Sequence, residues 1–250
     1  MRLTLRGALA AAFILAMCAM CVRLGFWQLD RLAQRKARNH ALQAALTMPA
    51  LRFDALTAAA IERQPERFIN RRVQVTGSYD PAGEIVLRGR SNRSDPGVHL
   101  VTPLIVAAVP QALLVNRGWV PSPDAATVDA RPFAEPGTRT VTGILQEIPR
   151  NTRAAGEPAT TRVNGARVIT YRRLDLDAIR KRERRPIAPL YLQLLPAADS
   201  ASSRPPIRVA LPPMDNGPHL SYAVQWFSFA IIGVIGLVIM LFRQRRIDER

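Results

Sequence analysis

Residues 222–242 read YAVQWFSFAIIGVIGLVIMLF, an uncharged run that opens on aromatics and stops at Arg243, Arg245 and Arg246. At about 1.5 Å per residue it covers roughly 31 Å, the thickness of a bilayer's hydrocarbon core. Tyr222, Trp226 and Phe227 suit an interfacial belt at one end, and the arginines mark the cytoplasmic side at the other. The stretch predicts a transmembrane helix over 222–242 with a cytoplasmic tail at 243–250. A wholly buried core helix is the competing reading.

Working outward, a second apolar run lies at 8–27, behind a short tail (1–7) that carries Arg2 and Arg6. Arg23 interrupts it, and the uncharged part from Ala8 to Val22 also has the length of a signal-peptide core. No Ala-x-Ala site follows, and apolar residues resume at Leu24–Trp27, so an uncleaved span over 8–27 is expected. Arg23 then snorkels to the interface. Arg31, Arg35, Lys36 and Arg38 follow this span and oppose a cytoplasmic N-terminus. The second span's bias decides the matter, because two spans put both tails on one side. The stretch 28–218 is then extracytoplasmic, in the periplasm of a Gram-negative cell. A long loop crosses largely regardless of its charge.

Between the spans the pattern changes. Leu29–Leu46 continues as a helix stopped near Pro49. Strand-like runs rich in Val, Ile and Thr follow at 72–79, 84–90, 98–107, 112–120, 139–147, 166–173 and 189–195, and one helix is expected at 175–185. The expected fold is a membrane protein with two terminal transmembrane helices flanking one β-rich (α+β) extracytoplasmic domain, a barrel or sandwich capped by helix. Pro196, Pro205, Pro206, Pro212, Pro213 and Pro218 mark a tether at 196–218.

The chain has 35 basic and 19 acidic residues, net +16. Such charge attracts anions, but all basic residues except Lys36 and Lys181 are arginine, a bias that a GC-rich genome produces without selection for binding. Arg180–Arg185 is the densest run, read as a solvated face or an anionic-lipid, propionate or partner site. No aromatic interleaving supports nucleic-acid binding. Cys18 and Cys21 lie inside the first span, so the domain holds no disulfide. Two small residues packing in a membrane helix is the simple reading of this pair; copper or redox chemistry is the other.

No phosphate loop, zinc motif or nucleophile elbow is present in the sequence, so a catalytic role is not expected. His40, His99 and His219 are isolated from one another. His219 precedes the second span, with Trp27 and Trp226 at similar depth, and an axial haem ligand needs a neutral imidazole beside an apolar wall. A headgroup contact explains a lone interfacial histidine equally well.

Four stretches in order resemble a known family: Leu24-Gly25-Phe26-Trp27-Gln28-Leu29-Asp30-Arg31 with Lys36, Gly97–Leu104 (GVHLVTPL), Leu114–Pro121 (LVNRGWVP) and Pro218–Phe227 (PHLSYAVQWF). They are similar to motifs of the Surfeit-locus-1 family of cytochrome c oxidase assembly proteins, and the two-span layout extends the similarity over the chain. The resemblance implies a non-enzymatic assembly factor in the bacterial inner membrane. It would bind haem a and aid its insertion into oxidase subunit I, with haem a synthase and membrane lipids as further partners. By carry-over, His219 is the haem contact, with Trp27, Gln28, Tyr222, Gln225 and Trp226 around it. Asn116, Arg117, Gly118 and Trp119 look like a structural turn or partner surface, and His99 is a motif residue or a satisfied core histidine. A cofactor-free scaffold for oxidase subunits and an unrelated two-span envelope sensor or enzyme are the alternatives. The chain departs from the family at Gln34-Arg35, where many members carry Trp, and at 164–177, which lacks the family's central Trp.

Overall fold

A computed structural model describes residues 5–151, 157–196, 204–211 and 214–248. Two of its helices are long and apolar enough to cross a membrane: α1, Leu5–Thr47, and a terminal helix, His219–Asp248. The chain forms two compact units, 1–43 with 213–250, and 44–212.

In the first unit the helices run antiparallel, since rising numbers on α1 meet falling numbers on its partner. On α1 the buried or half-buried positions include Gly7, Ala11, Ile14, Cys18, Cys21, Gly25, Gln28, Leu32, Arg35 and Asn39, spaced alternately by three and four. On the terminal helix they include His219, Ala223, Trp226, Ala230, Gly233, Leu237 and Met240, with the same spacing. That rhythm keeps one seam of each helix facing the other. Small residues recur along the middle of the seam (Cys18, Cys21, Gly25, Ala223, Ala230 and Gly233), which lets the backbones approach closely there. A Cβ at Gly25 would lie 2.6 Å from the Phe227 ring, and one at Gly233 would lie 2.6 Å from Cys18 Sγ. Cys18 and Cys21 are both buried in this seam, and the Cys18 thiol faces the Ala230 carbonyl at 3.5 Å. Outside it, Phe13, Phe26, Ile231, Ile232 and Phe242 are exposed, the complement of a lipid environment.

The second unit is built on β-strands: β1 (Leu51–Arg52), β2 (Arg72–Tyr79), β3 (Ile85–Asn92), β4 (Asp95–Ile105), β5 (Ala112–Pro121), β6 (Thr138–Glu147), β7 (Ala159–Val163), β8 (Ala166–Tyr171) and β9 (Ile187–Leu194). Sheet order is β1-β2-β6-β9-β5-β4-β3-β8-β7, and β2 also pairs with β4 through Ser78–Ile105 and Tyr79–Leu104. That extra pairing closes β2, β6, β9, β5 and β4 into a five-stranded barrel, leaving β3, β8 and β7 as a flap. Val73, Val75, Leu104, Leu113, Leu145 and Leu192 fill the barrel core, packed with Ile61 of α2 (Ala55–Arg63). α2 is capped by Asp54, whose carboxylate accepts from Thr57 N–H at 2.8 Å. A second core, with Leu87, Val101, Leu114 and Tyr171, packs against Leu176 and Ile179 of α3 (Leu176–Arg180).

The helix expected over 175–185 is corrected to this single turn and a half. Asp175 caps it, accepting from Asp177 and Ala178 N–H. Arg180 then bonds back to the Ile187 carbonyl and to Glu62, drawing the chain into β9. Of the proline-rich stretch 196–218, residues 204–211 are described in this unit. Ile207 there pairs with Trp119 of β5 through two backbone bonds of 2.8 Å. Residues 197–203 and 212–213 lie outside the described residues.

Candidate functional site

α4, His219–Asp248, begins at the histidine itself. Its imidazole Nδ1 lies 2.9 Å from Oε1 of Gln28 on α1. With the amide oxygen accepting, Nδ1 carries the proton and Nε2 keeps its lone pair, the tautomer a metal ligand requires. Both side chains are half-buried. The turn before α4 is tied to the same face of α1. Arg35 Nε and Asn39 Nδ2 each donate to the Asp215 carbonyl at 2.9 Å, and Arg35 Nη2 reaches its carboxylate at 3.1 Å. Asp215 accepts from Gly217 N–H at 2.8 Å, and Ser221 Oγ donates to the Pro218 carbonyl at 2.8 Å. The Arg35–Asp215 pair is exposed and worth under about 1 kcal/mol. Its role is register, because it sets where His219 enters α4. A Cβ at Gly217 would stand 3.5 Å from Nε2, so glycine keeps that side of the ring open.

The other residues expected around His219 are arranged unevenly. Trp27 and Tyr222 are 52% and 48% exposed, which leaves their rings free for a flat apolar ligand. Gln225 is exposed, and Trp226 is half-buried with its ring edge-on to Phe229 at 5.9 Å. His219 and Gln28 are thus hydrogen-bonded directly, whereas Trp27 and Trp226 show no mutual stacking.

The second unit holds a different centre that sequence reading missed. β5 bulges opposite β4 between the pairs Leu100–Gly118 and Val101–Asn116, so Arg117 is the extra residue. The bulge turns its guanidinium inward, where it is 2% exposed and meets Glu84 and Glu135 at 3.0 Å each. It also donates to the Phe133 carbonyl and lies 5.1 Å over the Tyr79 ring. Thr102 Oγ1 donates to Glu84 at 2.6 Å. Burial raises the Glu84 carboxyl more than its bonds from Thr102 and Arg117 lower it. Burial and the charge of Glu135 push the Tyr79 phenol up to about 12. A cavity of about 490 Å³ opens beside Tyr79, Glu84, Thr102, Arg117 and Arg131. Gly118, at φ +128°, holds a conformation that side chains rarely adopt, and a Cβ there would strike the Ile207 carbonyl.

Asn116, Arg117, Gly118 and Trp119, expected at a structural turn or partner surface, lie within β5. They lie inside a buried strand, with Trp119 7% exposed. Asn116 Oδ1 accepts from Gly118 N–H at 3.1 Å, and its amide nitrogen faces His99 Nδ1 at 3.4 Å. Burial first, then the charge of Arg90, pushes the His99 imidazole down to about 4, so it is neutral at physiological pH. Among the described residues no three His, Cys, Asp or Glu side chains form a metal cluster.

An apolar helix pair at the chain ends and a barrel domain between them define a two-span membrane protein. The SURF1 family profile matches residues 15–231, and the chain belongs to that family, which is associated with cytochrome c oxidase assembly. An uncharacterized SURF1-like protein of Mycobacterium tuberculosis is 27% identical over 241 residues, 96% of this chain and 85% of the relative. A SURF1-like protein of Rickettsia felis is 34% identical over 108 residues, 42% of this chain and 44% of its own length. One from Monosiga brevicollis is 25% identical over 241 residues, 91% of this chain and 84% of the relative.

Proposed function

We propose that this protein is a non-catalytic assembly factor that holds haem a as cargo and delivers it to cytochrome c oxidase subunit I. The observation that carries the reading is the 2.9 Å bond between His219 Nδ1 and Gln28 Oε1. A haem needs one imidazole nitrogen with a free lone pair, a fixed ring and an apolar wall. His219 supplies the ligand, Gln28 fixes the tautomer, and the exposed rings of Trp27 and Tyr222 supply apolar surface. Gln225 and Trp226 lie one to two turns further into α4. Haem a stays chemically unchanged during this handling, and the chain's residues bind and orient it. The chain sits in the bacterial inner membrane with both tails cytoplasmic and the β-barrel domain in the periplasm. Membrane lipids surround the spans, and haem a synthase is the proposed donor.

The cofactor-free scaffold reading makes the opposite prediction: His219→Ala leaves oxidase assembly unchanged, whereas changes around Asn116–Trp119 impair it. The test is complementation of a strain deleted for this protein. His219→Ala is expected to lower oxidase haem a content while the variant accumulates in the membrane at the wild-type level. Normal haem a content in that strain would sink the reading.

A further inference from the structure

β3 and β8 run parallel, with Leu87 opposite Tyr171, and each delivers arginines just past that pairing. Arg88 and Arg90 lie on β3, and Arg172 and Arg173 follow β8. β3 breaks register with β4 between Leu87 and Arg90, and at this bulge Gly89 N–H bonds the Ala125 carbonyl at 2.6 Å. The four arginines, with Gly89, Asp124 and Ala125, line a cavity of about 580 Å³. Arg90 is half-buried and spends one Nη2 bond, 3.1 Å, on the Arg172 carbonyl; Arg88 is also half-buried, while Arg172 and Arg173 are exposed.

The charges in this cavity do not cancel. Asp124, its one carboxylate, accepts from Ser122 Oγ (2.6 Å), Ala126 N–H (2.9 Å), Thr127 N–H (2.9 Å) and Thr127 Oγ1 (2.7 Å). Among the described residues none of the four guanidiniums forms a salt bridge. Burial lowers the proton affinity of Arg90; Tyr191 opposes this in part, and the charge of Arg173 adds to it. Like charges gathered in a half-desolvated hollow favour occupation by an anion. Forked guanidinium donors suit a tetrahedral oxyanion, which takes several N–H bonds at once. An ordinary solvated arginine face would let each side chain swing into water, whereas the bulge and the Arg172 bond hold Arg90 in place.

We propose that this pocket binds a phosphate group, the chemistry shared by a free phosphomonoester and an anionic lipid headgroup, independently of His219. The test uses the full chain in detergent at low salt. Inorganic phosphate is titrated calorimetrically, and short-chain phosphatidic acid and phosphatidylcholine are compared by native mass spectrometry. Saturable phosphate binding is expected, weakened at least about tenfold in Arg88→Gln and Arg173→Gln and unchanged in Arg184→Gln. Arg173 is exposed, so Arg173→Gln is expected to melt like the wild type. Phosphatidic acid binding tighter than phosphate assigns the site to lipid; equal or weaker binding assigns it to a soluble phosphate. Absence of binding by both probes, or binding undiminished in the two variants, overturns the proposal.

Discussion

Replacing Arg117 by leucine removes the cation shared by Glu84 and Glu135; Arg139 and Arg208 still reach Glu135 at 3.6 and 3.8 Å, so Glu84 is the acid left without a cation. The guanidinium is 2% exposed, Glu84 11% and Glu135 19%, so neither acid can regain full hydration in the folded domain. Breaking a buried pair by deleting one partner costs about 3–5 kcal/mol. Leucine fills part of the space, so the electrostatic loss dominates. Against a typical stability of about 5–15 kcal/mol, the domain keeps its fold with a much smaller margin. For a domain of this size the expected fall in Tm is roughly 6–20 °C. Trp119 is the only tryptophan between the two spans, two positions from the change. Its fluorescence, in a Trp27→Phe/Trp226→Phe background, therefore reports domain unfolding in urea. Adding Glu84→Gln to Arg117→Leu removes one stranded charge and is expected to restore about 1–2 kcal/mol. An Arg117→Leu domain within about 1 kcal/mol of the parent, or no recovery with Glu84→Gln, would show that the buried pair contributes little.

His99 predicts an acid-sensitive domain. Its folded value near 4 lies below the ordinary 6.5, so below pH 6.5 the unfolded chain takes up a proton that the folded chain refuses. Stability is expected to drop by about 3 kcal/mol as pH falls from 6.5 to 4, and His99→Gln is expected to flatten that slope in urea melts. Gly118→Ala drives a Cβ into the Ile207 carbonyl at positive φ; a loss of about 2 kcal/mol and faster proteolysis near 204–211 are expected. Gly25→Leu cannot share the seam with Phe227, so N-ethylmaleimide labelling of Cys18 in detergent is expected to accelerate severalfold over the wild type.

Much of the barrel was legible because its strands are written in Val, Ile and Thr. β2 coincides with the expected 72–79, and β5, β6 and β9 fall within one or two residues of expectation. β7 escaped notice because Ala159–Val163 is a mostly exposed run that becomes a strand only by pairing with β8. α2 has its signals in the sequence, Asp54 and the alanine-rich run after it. α3 is shorter than its charged tail suggests, because the Arg180–Ile187 bond that ends it joins residues across a turn. For the site, His219 and Gln28 stood out by motif, but their bond depends on a seam that runs from Gly7 to Asn39 in threes and fours. The sequence holds that spacing, yet the small residues Cys18, Cys21 and Gly25 look unremarkable without the facing helix. Nothing in Leu114–Pro121 signals that Arg117 turns inward, because a bulge is decided by register with a partner strand. Arg88, Arg90, Arg172 and Arg173 are far apart in sequence and meet only through the parallel β3–β8 pairing.

Whether His219 holds haem is decided by the haem content of the purified full chain, co-expressed with haem a synthesis. Near one haem per wild-type chain is expected, with a Soret band lost in His219→Ala and weakened in Gln28→Leu, all with unchanged melting of the β-barrel domain. Wild-type protein that carries no haem, or an equal Soret band in folded His219→Ala, contradicts haem binding at His219.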